Sequence, residues 1–532
     1  MSNRFKLLVP TLLLAIVVAV VPYGSLSAAE KAENASLSTA VNSIEANDLK
    51  KSVSFLASDA LEGREAGSEG SRAAAVFIIE KMEQAGLQPL GSQESFEQHF
   101  GKNYRNLLGF LPGSDPELAD EVVVIGAHYD HVGYGYSGNS RGTVGQIHNG
   151  ADDNGSGVGA ILEIIEAVTL LETPPRRPIL FAFWDAEELG LLGSKHWTAN
   201  PTINLQKVRF YINLDMIGRL KDNHLEVYGV RTADGLRRLY AITNHDGIEA
   251  EFNWYLRPDS DHYSFLKQNI PFLMPFTKKH PDYHRASDDF DKVNYEGHQK
   301  VTRQWFQILM QLANADHLPR FRNRSRAENE AVRRNVESRE LPRTSRLGIS
   351  WNTEQSEAAG ELIVRGVAPN SAAAIAGIRT GDRIVAWNGR PFETSASFIQ
   401  DIFASQTDSV ATIRRGDEET PEPIPVQLQG EPVLIGLSFR SDDAESRSLV
   451  IAQVVSDSPA SQAGLQKNDR ILSIEGEPIH SSEQATETLF SQSSPVRVQY
   501  EHHGLLKTTT LEPLPILSPP KAEQTESTAN SE

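Results

Sequence analysis

The sequence predicts an α/β protein: an α/β/α sandwich on a mixed, largely parallel sheet, followed by two small domains in tandem. Three observations carry this. From residue 105 short apolar runs alternate with amphipathic helical patterns, a charged stretch then breaks the pattern, and the remainder of the chain repeats itself once. A chain of 532 residues has room for about three domains. With 39% hydrophobic and 23% charged residues, it has the composition of a globular protein that buries cores.

The N-terminus is read first. Arg4 and Lys6 precede an apolar run, Leu7 to Val21, and then "SLSAAE", where Ser27 and Ala29 satisfy the small-residue rule for cleavage after Ala29. Residues 1–29 are therefore expected to be an export signal. The run is short for a membrane span, which needs about 20 residues, but an uncleaved anchor is the alternative. The expected location is periplasmic or secreted, with membrane attachment only if the segment stays uncleaved.

Next, "SRAAAVFIIEKMEQAGL" has helical spacing and stops at Gly86. Four runs read as buried strands: "EVVVIGAHYD", "RPILFAFWD", "KVRFYINLDMIG" and "NIPFLMPFT". Between the first two lies "SGVGAILEIIEAVTLL", with Val158, Ile161, Leu162, Ile165 and Val168 at helical spacing. "NYEGHQKVTRQWFQILMQLANA" reads as a closing helix. The Arg/Glu-dense residues 318–343 are expected to form a solvated linker. After it, "APNSAAAIAGIRTGDRIVAWNGRPF" aligns with "VSDSPASQAGLQKNDRILSIEGEPI" at a constant offset of 87 residues, the length of a small domain. Residues 516–532 are polar and expected to be a disordered tail.

Charge and cysteine content narrow the function. A net charge of −19 argues against nucleic acid as a partner. With no cysteine, disulfides, thiolate nucleophiles and thiolate metal sites are excluded. Any metal must be held by His, Asp and Glu.

Those residues gather at predicted strand ends. His128 and Asp130 close one strand, Glu187 and Glu188 another, and Asp215 a third. Asp152 and Asp153 lie in "GADDNGSG" just before a helix, and His284 comes after the last strand. In open α/β sheets ligands bind beyond the carboxyl ends of the strands. Taken singly, each residue has a bland reading: a structural His, a helix-capping Asp, first-turn Glu suited to the helix dipole. Together they form an oxygen and nitrogen donor set suited to zinc or a similar divalent ion. Two His and three carboxylates exceed the need of one catalytic zinc, which favours two metals sharing a bridging carboxylate. One glutamate of the Glu187–Glu188 pair can then ligate while its neighbour acts as general base. Asp152 and Asp153 compete on spacing for the bridging position.

"AHYDHVG", "GADDNGSGV", "FAFWDAEELGLLGS", "INLDMIG" and "PDYHRASDDFDKV" occur in this order. They resemble the co-catalytic di-zinc aminopeptidases of peptidase clan MH, family M28, over residues 38–317. The resemblance implies the zinc-exopeptidase fold, two Zn2+ per chain and a peptide or protein substrate. It implies that His128 and Asp215 bind one zinc, that Glu188 and His284 bind the other, and that Asp153 bridges them. Asp130 is then expected to orient His128, and Glu187 to act as general base, taking a proton from the bridging water and delivering it to the leaving amine. Tyr283 matches the oxyanion-stabilising position. Ser260, Asp261 and His262 are expected behind the ligands. A protease-associated domain common in relatives has no room here, and "PDYHRASDD" departs from the commoner "YHTPDD".

The repeats resemble PDZ domains, expected at 344–429 and 432–515, with "SRLGIS" and "VLIGLS" as carboxylate-binding loops. Such modules take up peptide C-termini by strand addition. Gly348 and Gly436 are expected to permit close approach of the peptide. "NDRI" in place of "GDRI" weakens the ligand-binding expectation for the second copy. The leading expectation is an exported aminopeptidase. The alternatives are a carboxypeptidase, a glutaminyl-cyclase-like relative, or an inactive PDZ scaffold.

Overall fold

The computed structural model describes residues 28–338, 345–416, 418–490 and 494–520. The expected signal at 1–29 lies almost wholly outside these, as do 339–343 of the expected linker and 521–532 of the expected tail. Among the described residues no helix is long and apolar enough to cross a membrane.

The first part of the chain places nine strands in one sheet: β1 (Gln88–Pro89), β2 (Glu97–Phe100), β3 (Tyr104–Leu111), β4 (Val122–His128), β5 (Ile179–Trp184), β6 (Val208–Asn213), β7 (His224–Tyr228), β8 (Glu249–Phe252) and β9 (Phe272–Phe276). The order is β1-β3-β5-β4-β6-β9-β7-β8, with β2 also on β3. The central pairs β5–β4, β4–β6 and β6–β9 are parallel, whereas β3–β5 and β7–β9 are antiparallel. The four predicted strands are β4, β5, β6 and β9, all central. Residues of β4 and β5 are buried on both faces, as expected of a parallel sheet covered by helices on both sides.

Alternation along these strands separates the two layers. Val123, Ile125, Phe181 and Phe183 enter one core with helices α1 (Ala28–Ser43), α2 (Ala46–Leu56), α3 (Glu69–Gln84), α4 (Gly157–Val168) and α8 (Tyr295–Asn314). Val124, Leu180, Ala182 and Trp184 face the other, with α5 (Leu192–Ala199) and α7 (His262–Lys267). A short helix α6 (Leu236–Thr243) packs beside α8. This is the expected α/β/α sandwich. The predicted helices appear as α3, which ends at Gln84 just before Gly86, α4 and α8. Helix α8 is capped by Asn294, whose side chain accepts from the Gly297 N–H.

The stretch expected to be a solvated linker is not solvated throughout. It carries helix α9 (Glu330–Glu337), and Glu328 is buried in ion pairs with Arg231 (2.6 Å) and Arg322 (3.0 Å). Glu328 is thus an internal partner for the sandwich, whereas Arg320, Arg324, Arg326 and Arg334 of the same stretch are exposed.

Two antiparallel sheets complete the chain. One is built on β10 (Ile349–Trp351), β11 (Leu362–Val367), β12 (Arg383–Trp387), β13 (Arg390–Pro391), β14 (Asp408–Arg414) and β15 (Glu422–Gln427). The second repeats it with β16 (Leu437–Arg440), β17 (Leu449–Val454), β18 (Arg470–Ile474), β19 (Glu477–Pro478), β20 (Val496–His502) and β21 (Leu505–Leu511). Each has its own apolar core. Strands β10 and β16, at the ends of the two expected carboxylate loops, lie at sheet edges. Gly348 and Gly436 both have φ of +81°, and a Cβ there would stand 2.2 and 2.1 Å from the Cβ of Ser371 and Ser458. Packing within each module already requires these glycines, whatever a bound peptide needs.

The modules are tied down. The Val433 N–H donates to the Phe403 carbonyl and the Leu517 N–H to that of Ala404, so residues 516–520, expected in the tail, run back onto the first module. The second module docks on the sandwich through Arg237–Glu501 (2.7 Å) and Arg231–Asp442 (2.9 Å), with Gly235 and Ala250 N–H groups donating to Ala444 and His503 carbonyls.

Candidate metal centre

The parallel register delivers the site residues to one rim. His128, the last residue of β4, is level with Trp184, the last of β5. Beyond β5 the chain turns through Asp185 and Ala186 to Glu187 and Glu188, and beyond β6 it reaches Asp215. Asp153 sits in the irregular turn that opens α4, where the Asn154 side chain donates to the Leu214 carbonyl and accepts from the Gly157 and Met216 N–H groups. That side chain fastens the turn to the end of β6. His284 comes from the long segment after β9. His128, Asp153, Glu187, Glu188, Asp215, Tyr283 and His284 line one pocket.

His128 Nε2 lies 3.4 Å from Asp153 Oδ1 and 3.5 Å from Asp215 Oδ1. His284 Nε2 lies 3.2 Å from Asp153 Oδ2 and 3.3 Å from Glu188 Oε2. Asp153 thus stands between two His/carboxylate groups, one oxygen toward each. Asp152, its competitor on spacing, points away: its Oδ1 accepts from the Gly218 N–H at 2.6 Å and its Oδ2 lies 3.2 Å from His280.

Asp130 relates to His128 differently from expectation. The acceptor within hydrogen-bond reach of His128 Nδ1 is the Asp130 main-chain oxygen, at 3.1 Å, while its carboxylate is 3.8 Å away. That carboxylate instead accepts the N–H groups of Glu187 (3.0 Å) and Glu188 (3.3 Å), so it shapes the Glu-Glu turn. Ser260 accepts from Asn213 at 2.8 Å, Asp261 is fully buried, and His262 Nε2 faces the Arg257 carbonyl at 2.9 Å. All three lie beneath the rim.

Two residues that the sequence did not mark for the site belong here. His131 is buried, with Nδ1 2.9 Å from Glu188 Oε1. The signal that could have found it is the second His of "AHYDHVG", three residues after the first. Arg64 is buried beneath the site. It donates to the carbonyls of Tyr129 (2.9 Å), Asn149 (2.7 Å) and Gly150 (2.9 Å), fixing the segments that come after β4 and before Asp152. Asp288 also accepts from the Asp152 and Asp153 N–H groups.

The electrostatics are those of crowded buried carboxylates. Burial pushes the Glu187 carboxyl well above its ordinary value, the charges of Glu188 and Asp261 adding to the effect while His128 opposes it. Burial likewise raises Asp215. For Asp153 burial is outweighed by the hydrogen bonds from His128 and His284, which hold its carboxyl well below the usual range. Burial works against a charged His284, yet Asp153 and Glu188 raise it to about 9.

The residues fit a divalent metal. The ligating atoms of His128, Asp153 and Asp215 lie within 4.8 Å of one another, and so do those of His131, Asp153 and Glu188. Asp215 Oδ1 and His131 Nε2 are buried without a hydrogen-bond partner. Unpaired groups of this kind are costly, and a cation satisfies them. A nitrogen and oxygen set with no thiolate suits zinc and similar ions.

Comparison with known proteins agrees with this architecture. Residues 106–309 match the model of Peptidase family M28, and 363–414 and 433–512 match models of the PDZ domain. The chain is 30% identical over 206 residues to leupeptin-inactivating enzyme 1 of Streptomyces exfoliatus, covering 38% of this chain and 42% of that one. It is 31% identical over 230 residues to leucine aminopeptidase 1 of Trichophyton rubrum, covering 40% and 58%. It thus spans roughly half the length of these relatives. The crystal structure of the Legionella pneumophila LapA aminopeptidase aligns with a TM-score of 0.44 at 22% identity, over 55% of this chain and 76% of that one. By family model, sheet topology and repeat, residues 106–309 form a Peptidase family M28 domain, and residues 363–414 and 433–512 form two PDZ domains.

Proposed function

We propose that the chain is an exported di-zinc aminopeptidase that hydrolyses N-terminal peptide bonds. The observation that carries the reading is the placement of Asp153 between His128 and His284, 3.4 and 3.2 Å away, with Asp215 and Glu188 completing the two groups. In this reading His128 and Asp215 hold one ion, Glu188 and His284 the other, and Asp153 reaches both. When bound, the pair supplies Lewis-acid polarisation and a nucleophile at neutral pH.

The chain's own residues supply the proton handling. Glu187 takes a proton from the attacking water and hands it to the leaving amine. The Tyr283 hydroxyl donates to the oxyanion that develops on the scissile carbonyl. Asp130 holds both glutamates by their N–H groups, keeping the base beside the ligand. The relatives include a leucine aminopeptidase, which supports attack at a free N-terminus. The basic and apolar N-terminal segment supports export.

The test is Glu187→Gln. Bound metal should stay unchanged by elemental analysis while kcat falls by roughly 100-fold or more. A variant that keeps full turnover would refute the base assignment.

A further inference from the structure

The site pocket is lined by carboxylates, two histidines, and aromatic and sulfur-containing side chains, and among the described residues its one Lys or Arg is Lys279. The Lys279 Nζ lies 4.1 Å from the centroid of the Tyr283 ring. The Arg141 guanidinium lies 4.8 Å from the same ring. Neither is ion-paired to a carboxylate among the described residues. Their neighbours contrast with them: Lys278 pairs with Glu226 (3.2 Å) and Glu251 (3.0 Å), and Arg219 with Asp288 (2.8 Å). On a chain of net charge −19, cations beside a carboxylate-rich site normally find acids. These two are instead held against an aromatic face, with their charges available to a ligand.

Arg141 is also well anchored. Its N–H donates to the His284 carbonyl at 2.8 Å, and the Asn139 carbonyl, two residues earlier, faces His284 Nδ1 at 2.8 Å. The segment carrying Arg141 is thereby fixed to a site residue.

We propose that Lys279 and Arg141 receive the free C-terminal carboxylate of a short peptide on the leaving-group side of the scissile bond. The substrates so favoured are dipeptides and tripeptides. This rests on the aminopeptidase reading, in which Tyr283 touches the scissile carbonyl oxygen. Both cations stand within 5 Å of the Tyr283 ring. Successive residues advance a chain by about 3.8 Å, so only a C-terminus one or two residues beyond the cleaved bond falls in their reach. An acidic side chain at the first leaving residue offers the same chemistry, and the test separates the two.

The experiment compares kcat/KM for Leu-Gly, Leu-Gly-amide and Leu-Asp-amide, with leucine p-nitroanilide as a neutral probe. Leu-Gly is expected to exceed Leu-Gly-amide about tenfold or more, chiefly through KM, each tenfold step being worth about 1.4 kcal/mol. Lys279→Gln and Arg141→Gln should each shrink that ratio, and the double variant should bring it close to one. Taking a ratio cancels any general effect on Tyr283. A wild-type ratio near one, a preference for Leu-Asp-amide, or a ratio unmoved in the double variant overturns the proposal. Cleavage of the p-nitroanilide with a ratio near one overturns this proposal alone. No cleavage of any probe overturns the aminopeptidase reading and this proposal with it.

Discussion

At the scale of single residues, the groups gathered at the candidate centre are legible in the sequence and the groups that hold them in place are not. His128, Asp153, Glu188, Asp215 and His284 are chemically marked, and each comes after a recognisable strand or turn. Arg64 carries no such mark, because its partners are main-chain carbonyls of Tyr129, Asn149 and Gly150, which the sequence shows only as distant letters. His131 is marked, yet its role depends on a 2.9 Å contact with Glu188 that spacing does not reveal. Its Nδ1–H donates to one Glu188 oxygen and leaves the other facing His284. Groups that orient a ligand typically affect metal affinity by 10- to 100-fold. On the proposed two-ion reading, His131→Ala should weaken the ion assigned to Glu188 by roughly 10- to 100-fold and leave the ion assigned to Asp215 nearly unaffected. Competition with a chromophoric chelator reads the two affinities, and equal weakening of both would contradict this account.

At the scale of elements, legibility tracked burial. The four predicted strands are central, and β4 and β5 are buried on both faces. Strands β3, β7 and β8, which the apolar pattern did not pick out, lie toward the sheet's edges, and β7 alternates half-buried with buried residues. Helix α4 was predicted amphipathic, but it is buried nearly all round, including Glu163. Burial pushes the Glu163 carboxyl up to about 8, with Glu166 and Asp48 adding to it. Below about pH 4.5 the group is protonated both folded and unfolded and costs nothing. Between about pH 4.5 and 8 the folded state keeps a proton that the unfolded chain has released, so stability falls as pH rises. Glu163→Gln removes that loss. Its melting temperature should exceed that of the wild type at about pH 8 to 9 and match it near pH 4. A constant offset across the range in thermal scans would show that Glu163 acts through packing instead.

At the scale of the molecule, the sequence separates the sandwich from the repeats but does not disclose their union. The pairing of Arg231 with Asp442, and of Arg237 with Glu501, joins residues more than 200 positions apart, and no local pattern announces it. It also places acids of the second PDZ domain in the interior, where losing one partner strands the other. Removing one member of a buried pair typically costs 3–5 kcal/mol. Arg237→Ala should therefore destabilise the docked arrangement by about 3–5 kcal/mol, with the second PDZ domain becoming susceptible to proteolysis before the sandwich does. Simultaneous digestion of both at the wild-type rate would mean that the ion pair contributes nothing to docking.

The central claim is that two divalent ions share Asp153 in a site that cleaves beside a free N-terminus. The most direct measurement is metal content of the purified protein by elemental analysis, paired with hydrolysis of matched free and N-acetylated peptides. The account predicts two zinc ions per chain and cleavage of the free-amine peptides alone. A single ion, or cleavage of the acetylated peptides at comparable rates, would contradict it.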